Sequence, residues 1–415
     1  TATGRNDWDS RLAFSDYKSF FYPSIGLSAI LTSMFNAPDW LTYLKVRGSY
    51  TEVGNSYGRF MTTVTYPYDE QTQSWTSTSS YPNTKLKPER TKSWEVGLDA
   101  RILNDISLNL TYYRSNTYNQ TFYADLSLSS GYSNIPIQSG NIMNEGLEMS
   151  LGYNKQWKDF SFNTNYTLTW NKNRVKRLAD GVYNYATGQP IQMPELSPLT
   201  YGHTDARLIL RVGGSMGDVY GQRLLKRDLN GYILNEEGVG LAMENKETYL
   251  GSILPKMNMG WSLGFGYKGV NLGMTFTGRF GGIVISETQS VLDAAGVSKV
   301  SADVRDAGGV QINQSKVSAQ TYYQTIQGTA AYYTYSATNV RLGELSLSYT
   351  LPKKWFDNKV GMTVGLVGKN LWMIYCKAPF DPELTTSAAS NFYQGFDAYM
   401  LPSTRNFGFN VKFQF

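Results

Sequence analysis

Cysteine and histidine are almost missing from this chain of 415 residues: Cys376 and His203 stand alone. One cysteine excludes an internal disulfide and any cysteine-based metal cage. One histidine leaves no room for a multi-histidine metal site. Long apolar runs are missing too. The longest clean one, residues 371–376, falls far short of the roughly 18–20 residues that a membrane-crossing helix needs, which excludes a helical membrane protein. No dense lysine/arginine run stands out, and a net charge of +5 is too mild to point to nucleic acid. The chain opens at Thr1 with neither methionine nor a signal-type segment, so its start is expected to have been removed or to lie upstream in a longer chain.

What is present is alternation with a period of two, repeated many times. In residues 92–102, Trp94, Val96, Leu98, Ala100 and Ile102 share one face, while Ser93, Glu95, Gly97, Asp99 and Arg101 share the other. The same pattern recurs in 106–112, 160–170, 257–267 and 270–276. The final stretch sets Phe407, Phe409, Val411, Phe413 and Phe415 against Asn406, Gly408, Asn410, Lys412 and Gln414. Noisier strands are read at 24–31, 44–50, 146–153, 340–351 and 360–366, and residues 1–5 read as the end of one more. The phase slips near Gly343 and Glu344, which predicts a β-bulge. This makes about twelve antiparallel strands.

A soluble sandwich also alternates, but three features favour a transmembrane barrel. The polar face is small and neutral, as suits a wet lumen. The apolar face carries Trp and Tyr towards strand ends, as suits an interfacial girdle; with 31 Tyr and 9 Trp the chain is well supplied. Connections also alternate in length. Long ones, near 55–90, 125–141, 174–256, 286–338 and 377–403, are separated by short turns at 104–105, 156–158, 268–269 and 352–359. In an up-and-down sheet all the long ones then fall at one end, the pattern of short periplasmic turns and long extracellular loops. Long-loop positions such as Ser79 and Ser290 are expected to be open to solvent, and Lys268 and Asn358 to lie in the short turns.

Six segments carry a further signal: LKVRGSYTEVGNS (44–56), LKPERTKSWEVGLDARILNDISLNLTYYRSNT (86–117), GNIMNEGLEMSL (140–151), NVRLGELSLSYTLPKKW (339–355), GKNLWMIYCKAPFDPEL (368–384) and the closing LPSTRNFGFNVKFQF. They resemble the SusC/RagA family of TonB-dependent transporters from Bacteroidetes. The similarity runs over nearly the whole chain in the family's order. It implies a multi-pass outer-membrane barrel of about 22 strands, of which residues 1–415 are the C-terminal part. It also implies active import of oligosaccharides or peptides, an N-terminal plug and a TonB-contacting segment not contained in these residues, and a SusD-like surface lipoprotein as partner. An adhesin or assembly scaffold without transport is the alternative. The strand 404–415 is then expected to lack a second neighbour within 1–415, and residues 1–5 to run along an edge. Pairing of the two would instead make a small closed barrel.

No catalytic constellation emerges, and neither an enzyme activity nor a cofactor is expected. His203 and Asp205 lie two apart in an irregular loop and read as ordinary loop residues. RDLNGYILNEEG (227–238) has the look of a calcium loop, with Asp228, Asn230 and Gly231. The twelfth position counted from Asp228 is Val239, where a glutamate is needed, so an Asn-Gly turn is the better reading. The candidate substrate contacts are long-loop aromatics: Trp75, Tyr183, Tyr185, Tyr322, Tyr323, Tyr332, Tyr333 and Tyr335. Their rings can stack on a sugar, and they serve equally well for loop packing. Glu95, Asp99 and Arg101 are expected on the lumen wall, held by pairing with neighbouring strands or the plug.

Overall fold

A computed structural model describes residues 1–138, 140–178, 195–236, 240–312, 315–357, 359–384, 386–387 and 391–415. Twelve strands hydrogen-bond side by side in chain order. They are β1 (Ala2–Trp8), β2 (Ser19–Ile30), β3 (Leu41–Asn55), β4 (Glu89–Ile102), β5 (Ile106–Tyr118), β6 (Asn141–Trp157), β7 (Phe160–Arg177), β8 (Met257–Tyr267), β9 (Val270–Phe280), β10 (Asn339–Leu351), β11 (Gly361–Cys376) and β12 (Asn406–Gln414). The expected strands are all present. Among the described residues β1 pairs only with β2 in this sheet, and β12 only with β11, so each carries one edge with no partner among them.

The chain divides into two compact units. The first comprises Thr1–Tyr153, Thr167–Pro198 and Leu210–Met216; the second comprises Asn154–Tyr166, Leu199–Ile209 and Gly217–Phe415. In the first unit, β3 and β4 pair Val46 with Leu98 and Tyr50 with Trp94, while Lys45 faces Asp99 and Ser49 faces Glu95. Successive side chains of a strand point to opposite faces. The register therefore stacks apolar partners on one face and polar ones on the other, as the alternation predicts. Leu12, Phe20, Tyr57 and Leu86 form a buried cluster beside this unit's long connections.

In the second unit, β10 pairs with both β9 and β11 and carries the predicted bulge. Phe276 lies opposite Leu342 and Thr275 opposite Glu344, leaving Gly343 as the extra residue. The β8–β9 turn is Lys268–Gly269, both at positive φ, the geometry that matches the twist of a tight hairpin. A Cβ on Gly269 would also come within 2.7 Å of the Thr350 carbonyl oxygen.

The long connections of this unit are folded, which the strand reading did not anticipate. Among the described residues of 281–338 are three α-helices, α1 (Glu287–Ala294), α2 (Lys299–Asp306) and α3 (Ala319–Ile326), each opened by a serine, Ser286, Ser298 or Ser318, whose hydroxyl accepts an amide of the first turn. The strand Ile283–Ser286 pairs antiparallel with Thr334–Ser336 and parallel with Phe396–Asp397. Two apolar clusters hold these pieces together. One is built on Tyr201, Leu208, Val219, Ile253, Ile285 and Phe396, the other on Leu225, Leu241, Ile312, Tyr323, Ile326 and Tyr333. Ser290, expected to be open, is buried: it sits on the inner face of α1, where its hydroxyl accepts the Gly328 amide at 2.9 Å. Asn358 lies outside the described residues.

Candidate functional site

The polar face of β3, β4 and β5 carries a cluster of charged side chains. Asp99 receives a hydrogen bond from the Asn109 amide and has Lys45 Nζ and Arg47 Nε each at 3.8 Å. Arg47 Nη2 also donates to Thr111 Oγ1 at 2.6 Å. The guanidinium lies flat across β4 because residue 97 is glycine: a Cβ there would meet Arg47 Nε at 2.6 Å. Glu95 is solvent-exposed and lines a cavity of about 400 Å³ together with Thr1, Ser28, Lys45, Arg47 and Ser49. Arg101 is exposed near the short-turn end of β4. The three expected wall residues thus share a face, and Asp99 is the one tied to neighbouring strands. Lys45, Arg47, Asn109 and Thr111 were missed as its partners. Their alternation was readable, but cross-strand register was not.

The aromatic candidates separate into groups. Trp75, 68% exposed, lies on a two-residue strand against Tyr68, ring centroids 5.1 Å apart. Tyr322, Tyr323, Tyr332 and Tyr333 gather in the cluster around Leu225 and Ile326. Tyr323 and Tyr333 are buried there, and Tyr322 meets Tyr323 edge to face at 5.2 Å. Tyr332 accepts the Leu225 amide at 3.1 Å through its hydroxyl. Tyr335 sits edge-on to Phe380 at 5.6 Å. Burial, reinforced by the Asp293 carboxylate, pushes the Tyr335 phenol up to about 12, and moves Tyr333 the same way. These phenols stay neutral at any physiological pH. Asp293, Arg305, Gln320, Tyr323 and Gln324 line a cavity of about 480 Å³ beside them. Tyr183 and Tyr185 lie outside the described residues.

Two further carboxylates are structural anchors. Asp205 accepts the backbone amides of Gln222, Arg223 and Ala330 at 3.1, 2.7 and 2.7 Å, so its oxygens are committed to joining three loop segments. His203 beside it is exposed. Asp381 forms a two-pronged pair with Arg341 at 2.9 and 2.7 Å, Glu383 lies 3.3 Å from the same guanidinium, and Asn339 bonds both Arg341 and Glu383. Burial opposes ionisation of Asp381, but the guanidinium and the Glu383 amide outweigh it and hold its pKa below the ordinary value. The Asp-Pro-Glu segment was visible in the sequence as a family likeness; its partner Arg341 was not. In the Asp228 turn the carboxylate accepts the Asn230 and Tyr232 amides at 2.8 and 2.9 Å, the Asn-Gly turn that was expected. Among the described residues no group of three or more His, Cys, Asp or Glu could hold a metal ion.

Residues 1–371 match the family described as TonB dependent receptor-like, beta-barrel. The chain belongs to that family. Its relatives include the TonB-dependent receptor P3 of Formosa agariphila, 25% identical over all of this chain and 44% of that protein. The TonB-dependent receptor SusC of Bacteroides thetaiotaomicron is 27% identical over 36% of this chain and 14% of its own length. Among solved structures, the RagAB peptide importer in its open-open state superposes on the whole chain and 45% of the matched chain, with a TM-score of 0.73 at 20% identity; this establishes a shared fold. The chain of this SusC-like barrel therefore spans about 44% of the length of the curated relatives it matches from end to end.

Proposed function

We propose that this TonB-dependent receptor barrel imports oligosaccharides or peptides across a bacterial outer membrane, driven through TonB and working with a SusD-like surface lipoprotein. The observation that carries the reading is the arrangement of connections. The long ones alternate with short turns such as Leu103–Asp105 and Lys268–Gly269, so all of them leave one end of an up-and-down sheet. Those of the second unit build a folded domain rich in tyrosine. Short turns on the periplasmic side and long loops outside are the habit of outer-membrane barrels. In this reading the polar face with Glu95, Asp99 and Arg101 lines the lumen. In the second unit Tyr322, Tyr332 and Tyr335 offer accessible ring edges to the substrate, with Tyr323 and Tyr333 buried in the cluster behind Tyr322 and Tyr332; Trp75 is an exposed ring of the first unit.

Residues 1–415 are, on the same proposal, the C-terminal part of the barrel, with the plug and the TonB-contacting segment supplied by sequence outside them. Backbone groups exposed to lipid must be hydrogen-bonded, and the free edges of β1 and β12 need further strands to close the wall. The test is uptake by cells carrying the full-length gene, offered labelled oligosaccharides or peptides with and without a protonophore. Saturable uptake of one class, abolished by the protonophore and by deletion of the gene, is the expected result. Wild-type growth and uptake in the deletion strain, with surface binding alone lost, would establish an adhesin or scaffold instead.

A further inference from the structure

The outward, apolar face of the first unit ends in charge where its aromatic band stops. Register places Tyr50, Trp94, Arg114 and Glu145 in one row across β3 to β6, and Glu52, Lys92 and Asn116 in the next row towards the long connections. Arg90 follows two residues beyond Lys92 on the same face. Lys172 of β7 reaches the same belt, 3.7 Å from Glu145. Beneath the belt Trp94 packs on Tyr112 with ring centroids 5.4 Å apart, and Val96 is 57% exposed on the apolar wall.

The acids and bases of this belt are not equally presented. The Glu52 and Glu145 side chains are 11% and 18% exposed, against 39%, 44% and 48% for Arg90, Lys92 and Lys172. Glu52 is satisfied from three sides, by Arg90, Lys92 and the Tyr50 hydroxyl. The surface offered to the surroundings is therefore positive. Between the paired cations stands Arg114, whose guanidinium has no ion pair or hydrogen bond among the described residues. A guanidinium of five donors left free beside two ammonium groups matches a phosphate.

We propose that Arg114, flanked by Lys92 and Lys172, binds a phosphate carried on a lipid of the outer leaflet, with acyl chains lying over Val96 and the Trp94–Tyr112 pair. The argument for a lipid over a free anion is the apolar wall directly below: aromatic bands mark the depth of the headgroups, and a soluble phosphate would leave that wall uncovered. The inference rests on the barrel and sidedness of the proposed function, yet it is independent of transport.

The test uses the full-length protein purified in a neutral detergent, with native mass spectrometry as readout. Three probes are compared: a phosphorylated lipid A, the same lipid dephosphorylated, and inorganic phosphate. The phosphorylated lipid should bind, and Arg114→Gln should weaken it by about fivefold, the worth of one basic residue at an anionic membrane surface. Lys92→Gln with Arg114→Gln should weaken it further, and Arg114→Lys should retain most of it. Heat-modifiable gel mobility confirms that each variant is folded, and Arg101→Gln, on the opposite face, should bind like the parent. Equal binding of the phosphorylated and dephosphorylated lipids overturns the proposal. So does full displacement of the lipid by millimolar inorganic phosphate, which would mark a site for free anions. A protein that imports its substrate but fails these arms sinks the lipid site alone. One that binds the lipid but carries nothing sinks only the transport reading.

Discussion

Asp381 shows how one side chain ties a long connection to the wall. It and Arg341 are both largely covered, with side-chain exposures of 8% and 11%. Removing one partner of a buried pair strands the other charge, at a cost of about 3–5 kcal/mol. Asp381→Asn should therefore loosen the segment around residues 381–384, read as faster amide exchange there and not in β9. The pH dependence has a definite sign. The carboxyl is held below its ordinary value, so the stability it contributes is complete above the usual carboxylate range of about 4 and is lost as pH falls through its depressed value. Protection of this segment should persist at pH 5 and disappear in stronger acid. Loss of protection already between pH 7 and pH 5 would show that Asp381 is not the group responsible.

At the scale of the strand, the two faces should differ in their tolerance of charge. Leu272 pairs with Leu347 and Phe265 on the apolar face, Thr275 with Glu344 and Ser262 on the polar one. Arginine facing lipid near the midplane costs about 2–4 kcal/mol and far less towards a wet interior. Leu272→Arg should impair folding into bilayers while Thr275→Arg folds like the parent; equal yields of folded protein would undo the assignment of faces. Strands such as β4 and β9 were legible in the sequence because one face is apolar from Trp94 to Ile102 in β4 and from Val270 to Phe276 in β9, and even the bulge at Gly343 showed as a slip of phase. The helices α1 to α3 were not legible. The buried residues of α1, Glu287, Ser290 and Asp293, are polar, and α2 buries Ser301, so no apolar stripe announces either; α3 buries Ala319, Tyr323 and Ile326, two turns that are too short to stand out as a period. The candidate site fared likewise: Glu95, Asp99 and Arg101 were placed on one face by parity, but the burial of Tyr323 and Tyr333 depends on partners such as Leu225, far away in sequence.

For the whole molecule, sidedness is the claim with most at stake, and it is checked on intact cells. Ser79 lies in the exposed connection between β3 and β4, and Lys268 in the turn between β8 and β9. Ser79→Cys should react with a membrane-impermeant maleimide from outside, whereas Lys268→Cys should react only after the outer membrane is breached. The native Cys376 is first replaced by serine in both. Labelling of Lys268→Cys from outside would invert the topology.

The parallel pairing of Ile285 and Ser286 with Phe396 and Asp397 also sets an order of folding events. The Ser286 hydroxyl, which caps α1, donates to Asp397 Oδ2 at 2.6 Å across 111 positions of chain. A parallel contact of this kind cannot close as a local hairpin; it waits for the intervening chain, with β10 and β11, to be delivered. The helical connection of the second unit is therefore completed only when Phe396 and Asp397 are in place, and a chain cut short before Phe396 would leave the serine that caps α1 without Asp397.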